Sequence, residues 1–195
     1  MKRLFDIFFS FVGLVILSPF LILIAFMIMV SSKGSIFFLQ TRVGYKGQDF
    51  KLIKYRTMVA DADKKGLLTV GGRDPRVTEI GYFLRKYKLD ELPQLVNVLL
   101  GGMSLVGPRP EVRKYVDLYN DEQKKVLDVK PGITDYASLE YFNENDLLAK
   151  SENPEEAYIK EIMPAKLKLN LKYINEVSLV TDFKIILKTI TRIVN

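Results

Sequence analysis

The chain has 195 residues and a formal net charge of +6, and its 48% hydrophobic and 27% charged residues are typical of a folded protein. The positive charge suits nucleic acid, an anionic membrane surface or a phosphorylated substrate as a partner. Cysteine and histidine are both absent, which excludes disulfides, thiolate or imidazole metal ligands and Ser-His or Cys-His catalysis. Any chemistry must therefore use carboxylates, arginine, lysine, hydroxyl groups or a hard cation.

The first predicted element is an apolar segment. Residues 7–32 contain no charged side chain, and about 20 residues are enough to cross the hydrocarbon layer of a membrane. A secretory signal peptide explains the segment poorly, because the run is too long for its apolar region and no Ala-x-Ala cleavage site follows. A helix that spans the membrane is the simplest interpretation.

Two features of this segment favour a different path through the membrane. Ser18 and Pro19 lie in the middle of the run, where proline removes a backbone donor and a serine hydroxyl can replace part of the loss. Basic residues flank both ends, with Lys2 on one side and Lys33 on the other, so the positive-inside tendency keeps both ends in the cytoplasm. A helix that breaks at Ser18 and Pro19, enters one leaflet and returns satisfies both features. On these residues alone, the re-entrant and spanning alternatives remain open.

Residues 36–58 predict two short strands around a turn at residues 44–47. The basic residues of this hairpin are Arg42, Lys46, Lys54 and Arg56. A solvated basic edge is the ordinary interpretation of such residues, and it fits Lys46 best. Lys54 and Arg56 are candidates for contact with a phosphate group.

Beyond the hairpin, the pattern predicts a loop and then helices. The glycine and proline residues of the loop are Gly66, Gly71, Gly72 and Pro75. Thr78 is well placed to cap a helix that extends to about Lys88. Residues 112–128 are predicted to be helical, and the Lys-Pro-Gly sequence at 130–132 ends that segment.

Two further helix starts are predicted near the carboxyl terminus. Asn153 and Pro154 provide an N-cap and a proline in the first helical position, and Thr181 and Asp182 open the last helix. That helix either packs on a core or lies on an anionic bilayer. The apolar residues of its face are Phe183, Ile186, Leu187, Ile190 and Val194, and the basic residues on its flank are Lys184, Lys188 and Arg192.

An acidic pair carries the strongest chemical signal. Asp90 and Glu91 stand just before Pro93, which is tolerated only in the first turn of a helix, and acids at a helix start are ordinary caps. Here arginines lie on both sides, at Arg85 and Arg109, and carboxylates beside arginines can hold a phosphate and a divalent cation. An ionised Asp can also attack phosphorus. Adjacent helical residues point about 100° apart, so one acid would be the nucleophile and the other would hold metal or orient the substrate.

At these residues the chain resembles the bacterial sugar transferases of the monotopic phosphoglycosyl transferase superfamily, which prime glycan assembly on a polyprenol phosphate. The resemblance extends from Ser18 and Pro19 to the last helix, with its segments in the family's order. These segments are FLQTRVG at 38–44, KYRTM at 54–58, DPRVTEIGYFLRK at 74–86, LDELPQLVNVL at 89–99, MSLVGPRPE at 103–111 and KPGIT at 130–134.

The resemblance implies an α+β fold that is mainly α, with a re-entrant N-terminal membrane helix, a small β-hairpin and several amphipathic interfacial helices. It implies a membrane segment at residues 1–33 and a catalytic domain at residues 34–195, on the cytoplasmic face of the bacterial inner membrane. Relatives with four further spanning helices or a fused acetyltransferase domain are larger, so a minimal catalytic unit is expected. An amphipathic face suits lipid or a second copy, which leaves a homodimer as one option.

The resemblance also implies the chemistry. Asp90 would attack the sugar-bearing phosphorus of a UDP-sugar, release UMP and hold the phosphosugar covalently. Undecaprenyl phosphate would then accept the phosphosugar, which initiates membrane glycan assembly. Mg²⁺ is expected as cofactor, with Asp90 and Glu91 as its ligands. The residues expected near the substrate phosphates are Arg85, Arg109, Lys54 and Arg56.

The chain departs from the family pattern in places, and other functions remain as alternatives. Many relatives carry an acid at the position of Gly102, and many continue differently where this chain has DYASLEYFNEN at 135–145, so substrate details transfer least well there. A glycosyltransferase that moves the sugar alone would release UDP, and a non-catalytic membrane scaffold would tolerate Asp90→Asn. A nucleic-acid binder is disfavoured, because no aromatic stacking platform accompanies the arginines.

Overall fold

The computed structural model describes residues 1–59, 62, 68, 70, 71 and 74–194, so Gly66 and Gly72 of the predicted loop lie outside the described residues. Helices dominate, and two small sheets accompany them, which confirms a mainly helical fold with some strand. The α-helices are α1 (Lys2–Ser31), α2 (Glu79–Lys86), α3 (Gln94–Leu100), α4 (Arg113–Val116), α5 (Asp121–Lys124), α6 (Tyr136–Glu140), α7 (Glu144–Leu148), α8 (Pro154–Ala157), α9 (Met163–Asn175) and α10 (Leu179–Val194). The strands are β1 (Phe37–Val43), β2 (Asp49–Tyr55), β3 (Ser104–Val106) and β4 (Gly132–Thr134).

The predicted hairpin is confirmed. Strands β1 and β2 pair antiparallel with Phe37 opposite Tyr55, and one turn of 3-10 helix at Tyr45–Gly47 joins them. Lys46 in this turn is exposed and forms an ion pair with Asp128 at 2.8 Å. The solvated interpretation of Lys46 therefore holds.

The predicted cap of α2 is also confirmed, because Thr78 Oγ1 accepts a hydrogen bond from the backbone N–H of Gly81 at 3.0 Å. A Cβ atom at Gly81 would lie 2.1 Å from the carbonyl oxygen of Thr57, so glycine permits this close approach of α2. The helix ends at Lys86, two residues before its predicted end, and Lys88 adopts a left-handed conformation with φ of 53°.

Residues 112–128 are largely helical as predicted, but the helical segments are short and separate. This region forms α4, α5 and a 3-10 turn at Lys125–Asp128. The side chain of Asn120 accepts from the N–H of Gln123 at 2.9 Å, and the Gln123 side chain accepts from the N–H of Asn120 at 3.0 Å. This reciprocal capping starts α5 separately from α4.

The two later helix starts have different outcomes. Asn153 caps α8 as predicted, because its side chain accepts from the N–H of Glu156 at 3.3 Å. Helix α10 begins before its predicted start, and the hydroxyl of Ser178 accepts from the N–H of Thr181 at 3.1 Å. Asp182 is fully buried and forms an ion pair elsewhere in the fold.

Helix α1 is continuous over 30 residues, and among the described residues it is the one helix long and apolar enough to cross a membrane, with mean hydropathy 2.8. Pro19 has no N–H to donate to the carbonyl of Val15, four residues earlier. The hydroxyl of Ser18 donates to that carbonyl instead, at 2.8 Å. The predicted break at Ser18 and Pro19 is therefore wrong, because the helix continues through both residues and only one backbone hydrogen bond is replaced.

The amino-terminal end of α1 is attached to the rest of the protein by two cations. The ammonium of Lys2 forms an ion pair with Asp182 of α10. The guanidinium of Arg3 donates to the carbonyl oxygens of Val98 and Leu99, at 2.6 and 2.9 Å. Arg3 thus satisfies carbonyl groups at the carboxyl end of α3, where a positive charge is favourable.

The carboxyl-terminal half of α1 contacts the same part of the fold. The hydroxyl of Tyr55 donates to the carbonyl of Leu21 at 2.8 Å. The guanidinium of Arg56 donates to the carbonyl oxygens of Ser32 and Lys33, at 2.7 and 3.0 Å. Both ends of α1 are therefore held by residues of the domain that follows it.

The hydrophobic core consists of several clusters around the acidic pair. The largest lies among α4 to α9 and includes Tyr115 and Leu167. A second joins α1 to α2 through Ile24 and Leu84, and a third packs α10 on β3 through Ile185. Helices α1 and α10 thus both contribute to the hydrophobic core of the domain that lies between them in sequence.

A second sheet was not predicted. Strands β3 and β4 form a short parallel pair, with Ser104 opposite Gly132 and Val106 opposite Thr134. Three residues give too short a pattern to distinguish a strand from a loop by periodicity. This pair positions the segment that follows β3, which contributes to the cavity described below.

The hydrogen bond at the proline in α1 leads to a prediction. In lipid nanodiscs, Ser18→Ala should lower the midpoint of thermal unfolding by about 2–4 °C, because the Val15 carbonyl loses its partner at a cost of about 1 kcal/mol. The same change made together with Pro19→Ala should have almost no effect, since an alanine supplies the missing N–H.

Ser31→Ala is the matched control. The hydroxyl of Ser31 also donates to a carbonyl three residues earlier, that of Ile28, at 3.1 Å, but the N–H of Ser32 reaches the same oxygen at 3.3 Å. Equal losses for Ser18→Ala with and without Pro19 would contradict the role assigned to the Ser18 hydroxyl.

Candidate active site

A cavity of about 770 Å³ contains the acidic pair, a size typical of small-molecule sites. Its walls come from the hairpin, the segment between α2 and α3, the residues after β3, helices α6 and α7, the first turns of α1 and one face of α10. Every site residue predicted to bind substrate or metal lines it. These residues are Asp90, Glu91, Arg85, Arg109, Lys54 and Arg56.

The two acids lie in a single turn of 3-10 helix at Leu89–Glu91, and not in the first turn of α3 as predicted. Pro93 has no N–H for the carbonyl of the first residue in this turn, and that carbonyl accepts from the N–H of Leu92 at 3.3 Å. The proline thus separates the acidic turn from α3. Asp90 and Glu91 are each only 7% exposed.

Two cations neutralise Glu91. Lys54 Nζ lies 3.1 Å from Glu91 Oε1, and the Arg109 guanidinium donates to both carboxylate oxygens, at 3.1 Å for Oε2. Burial alone would raise the pKa of Glu91, but Arg109 and Lys54 outweigh it and hold that pKa well below its usual range. Glu91 is therefore an anion with all of its charge compensated.

Asp90 has a different environment. Among the described residues, no group donates a hydrogen bond to its carboxylate or forms an ion pair with it. Burial and the adjacent Glu91 raise the pKa of Asp90, and the charges of Lys54, Arg85 and Lys88 offset only part of that rise. A buried carboxylate without a partner is costly, so this carboxylate is the group from which a reactive role is expected.

Arg109 is positioned by its backbone. The N–H of Arg109 donates to the carboxylate of Asp135 at 3.0 Å, and the same carboxylate accepts from the N–H of Ser138 at 2.6 Å. Pro108 and Pro110 on either side restrict the backbone further. The arginine between two prolines therefore presents its guanidinium to Glu91 from a rigid segment.

The parallel strands hold this segment at close range. The N–H of Gly107 donates to the carbonyl of Thr134, and the N–H of Gly132 donates to the carbonyl of Pro108, both at 3.0 Å. A Cβ atom at Gly132 would lie 2.1 Å from the nitrogen of Gly107, so a larger residue would push these strands apart. Glycine here permits the approach that places Arg109.

Lys54 is placed through α3. The side chain of Asn97 accepts from the N–H of Ile53 at 2.9 Å and donates to the carbonyl of Lys51 at 2.8 Å. Asn97 therefore attaches β2 to α3 beside Lys54. Gln94 is 2% exposed, and its Nε2 has no partner among the described residues.

The remaining arginines differ in position. Arg85 lines the cavity, donates to the Thr57 hydroxyl at 2.9 Å, and lies near enough to Asp90 for its charge to act there. Arg56 lines the cavity as well, but its hydrogen bonds go to Ser32 and Lys33 at the end of α1. The phosphate-binding assignment of Arg56 stays a prediction.

The sequence analysis missed Lys88. This residue lines the cavity, its charge acts on both acids, and its ammonium lies 5.1 Å from the centre of the Phe142 ring. Burial lowers the pKa of Lys88. Its place two residues before Asp90 was a signal, but an exposed lysine at a helix end is far more common.

A second missed group supports the hairpin side of the cavity. Arg42 donates to Glu111 at 2.8 Å, and the hydroxyl of Tyr158 donates to the other oxygen of the same carboxylate. All three residues line the cavity. No sequence pattern joins them, because they are brought together from β1, the segment after β3 and the end of α8.

The donor set can be compared with the needs of Mg²⁺. Within the described parts of the chain there is no group of three or more acidic side chains that could hold a metal ion. Mg²⁺ is usually bound by one or two carboxylates, with water and substrate phosphates as the other ligands. Asp90 fits this pattern, since no described cation neutralises it. Glu91 is the less suitable ligand, because Lys54 and Arg109 already bind its oxygens.

Comparisons with known proteins identify the family of the chain. The sequence profile described as "Bacterial sugar transferase" matches residues 1–195. A UDP-glucose:undecaprenyl-phosphate glucose-1-phosphate transferase of Escherichia coli (strain K12) is 37% identical over 198 residues, which are 97% of this chain and 39% of that protein. Exopolysaccharide production protein PSS of Rhizobium leguminosarum bv. phaseoli is 37% identical over 197 residues, or 97% of this chain and 93% of that protein. A putative undecaprenyl-phosphate N-acetylgalactosaminyl 1-phosphate transferase of Bacillus subtilis (strain 168) is 44% identical over 121 residues, or 62% of this chain and 68% of that protein.

These relatives differ in length. The chain corresponds to 39% of the Escherichia coli protein and to nearly the whole of the Rhizobium protein. Because the profile match extends over residues 1–195, the chain belongs to the bacterial sugar transferase family.

Proposed function

We propose that the chain is a phosphoglycosyl transferase that moves a phosphosugar from a UDP-sugar to undecaprenyl phosphate, releases UMP and forms a covalent intermediate on Asp90. One observation carries the proposal: in a buried acidic pair, Glu91 is neutralised by two cations while Asp90 faces the cavity without a partner among the described residues. Relatives named as transferases that act on undecaprenyl phosphate support the substrate class.

In the first step, a carboxylate oxygen of Asp90 attacks the sugar-bearing phosphorus of the UDP-sugar. The new P–O bond forms as the bond from that phosphorus to the bridging oxygen breaks, and UMP leaves with the electron pair. Asp90 reacts as an anion, so no base has to remove a proton. A site without histidine is sufficient for this step.

In the second step, a phosphate oxygen of undecaprenyl phosphate attacks the same phosphorus. The P–O bond to Asp90 breaks, and the carboxylate recovers its electron pair. The product carries the sugar on a diphosphate linked to the lipid. This nucleophile is also an anion, so the two steps place the same demand on the protein, which is to compensate phosphate charge.

Three cations of the cavity are placed to compensate that charge. Arg109 and Lys54 already bind Glu91 from two sides, and Lys88 lies on the same turn as the acids. Asp90 would hold Mg²⁺ together with substrate phosphates, and Glu91, whose oxygens already bind Arg109 and Lys54, is the less suitable second ligand. The ion, when bound, neutralises phosphate charge and polarises the phosphoryl oxygens.

The polar end of the cavity suits the sugar and the nucleotide. Glu144 and Lys166 form an ion pair there at 2.6 Å, and Asn145 lines the same region. The hydroxyl of Ser138 is buried and has no partner among the described residues. These groups offer donors and acceptors to sugar hydroxyls, in the segment where the chain departs from the family pattern.

We also propose that α1 is re-entrant and that the site lies at the cytoplasmic face of the membrane. Lys2 and Arg3 at one end of α1, and Ser32 and Lys33 at the other, bind the same domain. A helix held in this way cannot place its ends on opposite sides of a bilayer unless the domain itself crosses. Basic residues at both ends favour the cytoplasmic side.

The alternatives make different demands on the cavity. A transferase that moves the sugar alone needs no nucleophilic carboxylate and releases UDP. A scaffold gains nothing from a buried carboxylate without a partner, which reduces stability. The identity of the released nucleotide separates the two enzymatic functions.

The first prediction concerns the covalent intermediate. After addition of a UDP-sugar and Mg²⁺ without lipid acceptor, the intact mass of the protein should rise by one phosphosugar. Asp90→Asn should abolish this rise, whereas Glu91→Gln should slow it without preventing it, because only Asp90 bonds to phosphorus. Labelling of Asp90→Asn, or none in Glu91→Gln after long incubation, would reverse the roles of the two acids.

The second prediction concerns Arg109. Arg109→Gln should lower kcat by about 10²–10³-fold, because the transition state loses a preorganised cation. Arg113→Gln is the control, since Arg113 is exposed and pairs with Asp49 at 2.6 Å outside the cavity. Both proteins should be compared by UMP release and by the midpoint of thermal unfolding. Equal activity of the two variants would remove Arg109 from the site.

The third prediction concerns topology. The chain has no cysteine, so single cysteines can be introduced at Ser35, at Lys46 and in a short extension before Met1. Lys46 is exposed in the hairpin and marks the side of the domain. All three should react with an impermeant maleimide from the same side of sealed vesicles. Opposite sidedness of the extension and Lys46 would establish a spanning helix.

A further inference from the structure

One wall of the cavity has a different chemical character from the rest. The lining residues that α1 and α10 contribute are all uncharged, and nearly all of them are apolar. The apolar members, called the apolar wall below, are Phe5, Phe9, Phe183, Ile186, Ile190 and Ile193. Their spacing of three or four residues puts each set on one face of its helix, and both faces meet at the same cavity.

The α1 side of the apolar wall is attached to β3. Asp6 is 2% exposed, and its carboxylate accepts from the N–H of Leu105 at 3.0 Å and from the hydroxyl of Ser104 at 2.9 Å. Phe5 and Phe9 lie on either side of this anchor along α1. The two aromatic rings are thus held beside the strand that leads to Arg109.

The α10 side is attached near the acidic turn. The hydroxyl groups of Thr189 and Thr134 are 2.7 Å apart, which joins α10 to β4. Arg192 of α10 and Lys88 both lie over the ring of Phe142, at 5.6 and 5.1 Å from its centre. The apolar wall therefore lies close to Lys88, which immediately precedes the acidic turn.

Much of this wall is not covered by protein. Phe9, Phe183 and Ile190 are 46%, 52% and 53% exposed, although all three line the cavity. Large apolar side chains that are exposed together mark a binding surface more often than scattered ones do. The surface is also continuous with the part of the cavity that holds Lys54, Lys88 and Arg109. These positive charges restrict the kind of ligand that can bind there.

We propose that the apolar wall binds the hydrocarbon chain of the lipid acceptor, so that the acceptor's phosphate reaches Asp90. This inference rests on the proposed function and adds a location for its second substrate. Only an amphiphile with an anionic head and an apolar chain matches both parts of the cavity. A UDP-sugar is polar over its whole length and uses the cationic and polar parts alone.

The position of the wall also provides a path for the lipid. Phe5 and Phe9 belong to α1, the helix that carries the apolar segment of the chain. A hydrocarbon chain that follows α1 moves from the bilayer into the cavity without crossing water. Its burial is favoured by about 25 cal/mol per Å² of apolar surface removed from water.

The test separates the two half-reactions. Ile190→Gln should leave the donor step unchanged, measured as UMP release and mass increase without acceptor. It should raise the KM for undecaprenyl phosphate in the discharge of the labelled protein by about tenfold. Leu187→Gln is the matched control, because Leu187 lies on the same helix and is 47% exposed but does not line the cavity.

A second pair of variants probes the α1 side. Phe9→Gln should show the same effect on the acceptor step, and Phe11→Gln, 56% exposed and outside the cavity lining, should not. If either Ile190→Gln or Phe9→Gln fails to fold, the other variant still tests the proposal. Wild-type KM values in the folded cavity variants would overturn the proposal. So would an equal slowing of the donor step, a change in oligomeric state alone, or a change in membrane association alone.

A readout without turnover keeps this inference separate from the proposed function. A polyprenyl phosphate with a photoreactive group in its chain should crosslink to peptides that contain Phe9 or Ile190, and undecaprenyl phosphate should compete. Crosslinks confined to other peptides would overturn the apolar wall as the lipid site, even if the protein is labelled by donor. Crosslinks at the wall without any covalent intermediate would instead contradict the role of Asp90.

Discussion

The neutralisation of Glu91 by Lys54 and Arg109 is the interaction on which the rest of the site depends. Two adjacent carboxylates in a buried turn repel each other, and burial penalises both charges. Two cations bound to Glu91 compensate its charge and leave Asp90 as the acid for which we propose the reactive role. Loss of both cations would leave a buried charge uncompensated, which is strongly destabilising. The arrangement requires β2, the acidic turn and the segment after β3 to meet at one point, and most of the fold serves to bring them there.

That convergence is achieved by polar contacts between backbone and side chain. Asn97 attaches β2 to α3, and Asp135 holds the backbone of Arg109. Two glycines let the parallel strands approach closely at Gly107 and Gly132. Asp6 joins α1 to β3 in the same manner, so α1 and the segment that carries Arg109 are both attached to β3. The apolar and charged parts of the cavity are therefore positioned by the same strand, and a displacement of α1 would change the position of Arg109.

Sequence patterns correctly predicted the elements whose formation depends on residues close together in the chain. The hairpin, the Thr78 cap and the Asn153 cap each depend on a few neighbouring residues, and the acidic pair was identified by the arginines near it. Features that arise from distant contacts were not accessible in the same way. No pattern in the sequence showed that β3 and β4 pair, that Glu91 and not Asp90 takes the cations, or that Arg56 binds the end of α1. Residues 112–128 are helical as predicted, and their division into short helices has a local cause in the cap at Asn120.

The ion pair between Lys2 and Asp182 has a consequence for the order of events during translation. Its partners are 180 residues apart, so Lys2 leaves the ribosome long before the helix that receives it exists. Until then, the first turns of α1 lack their anchor on α10, and the side of the cavity that α10 provides is absent. Contacts of such long range form slowly. Nascent chains therefore carry both acids before the cavity around them is complete, and the proposed activity requires the last helix to have been synthesised.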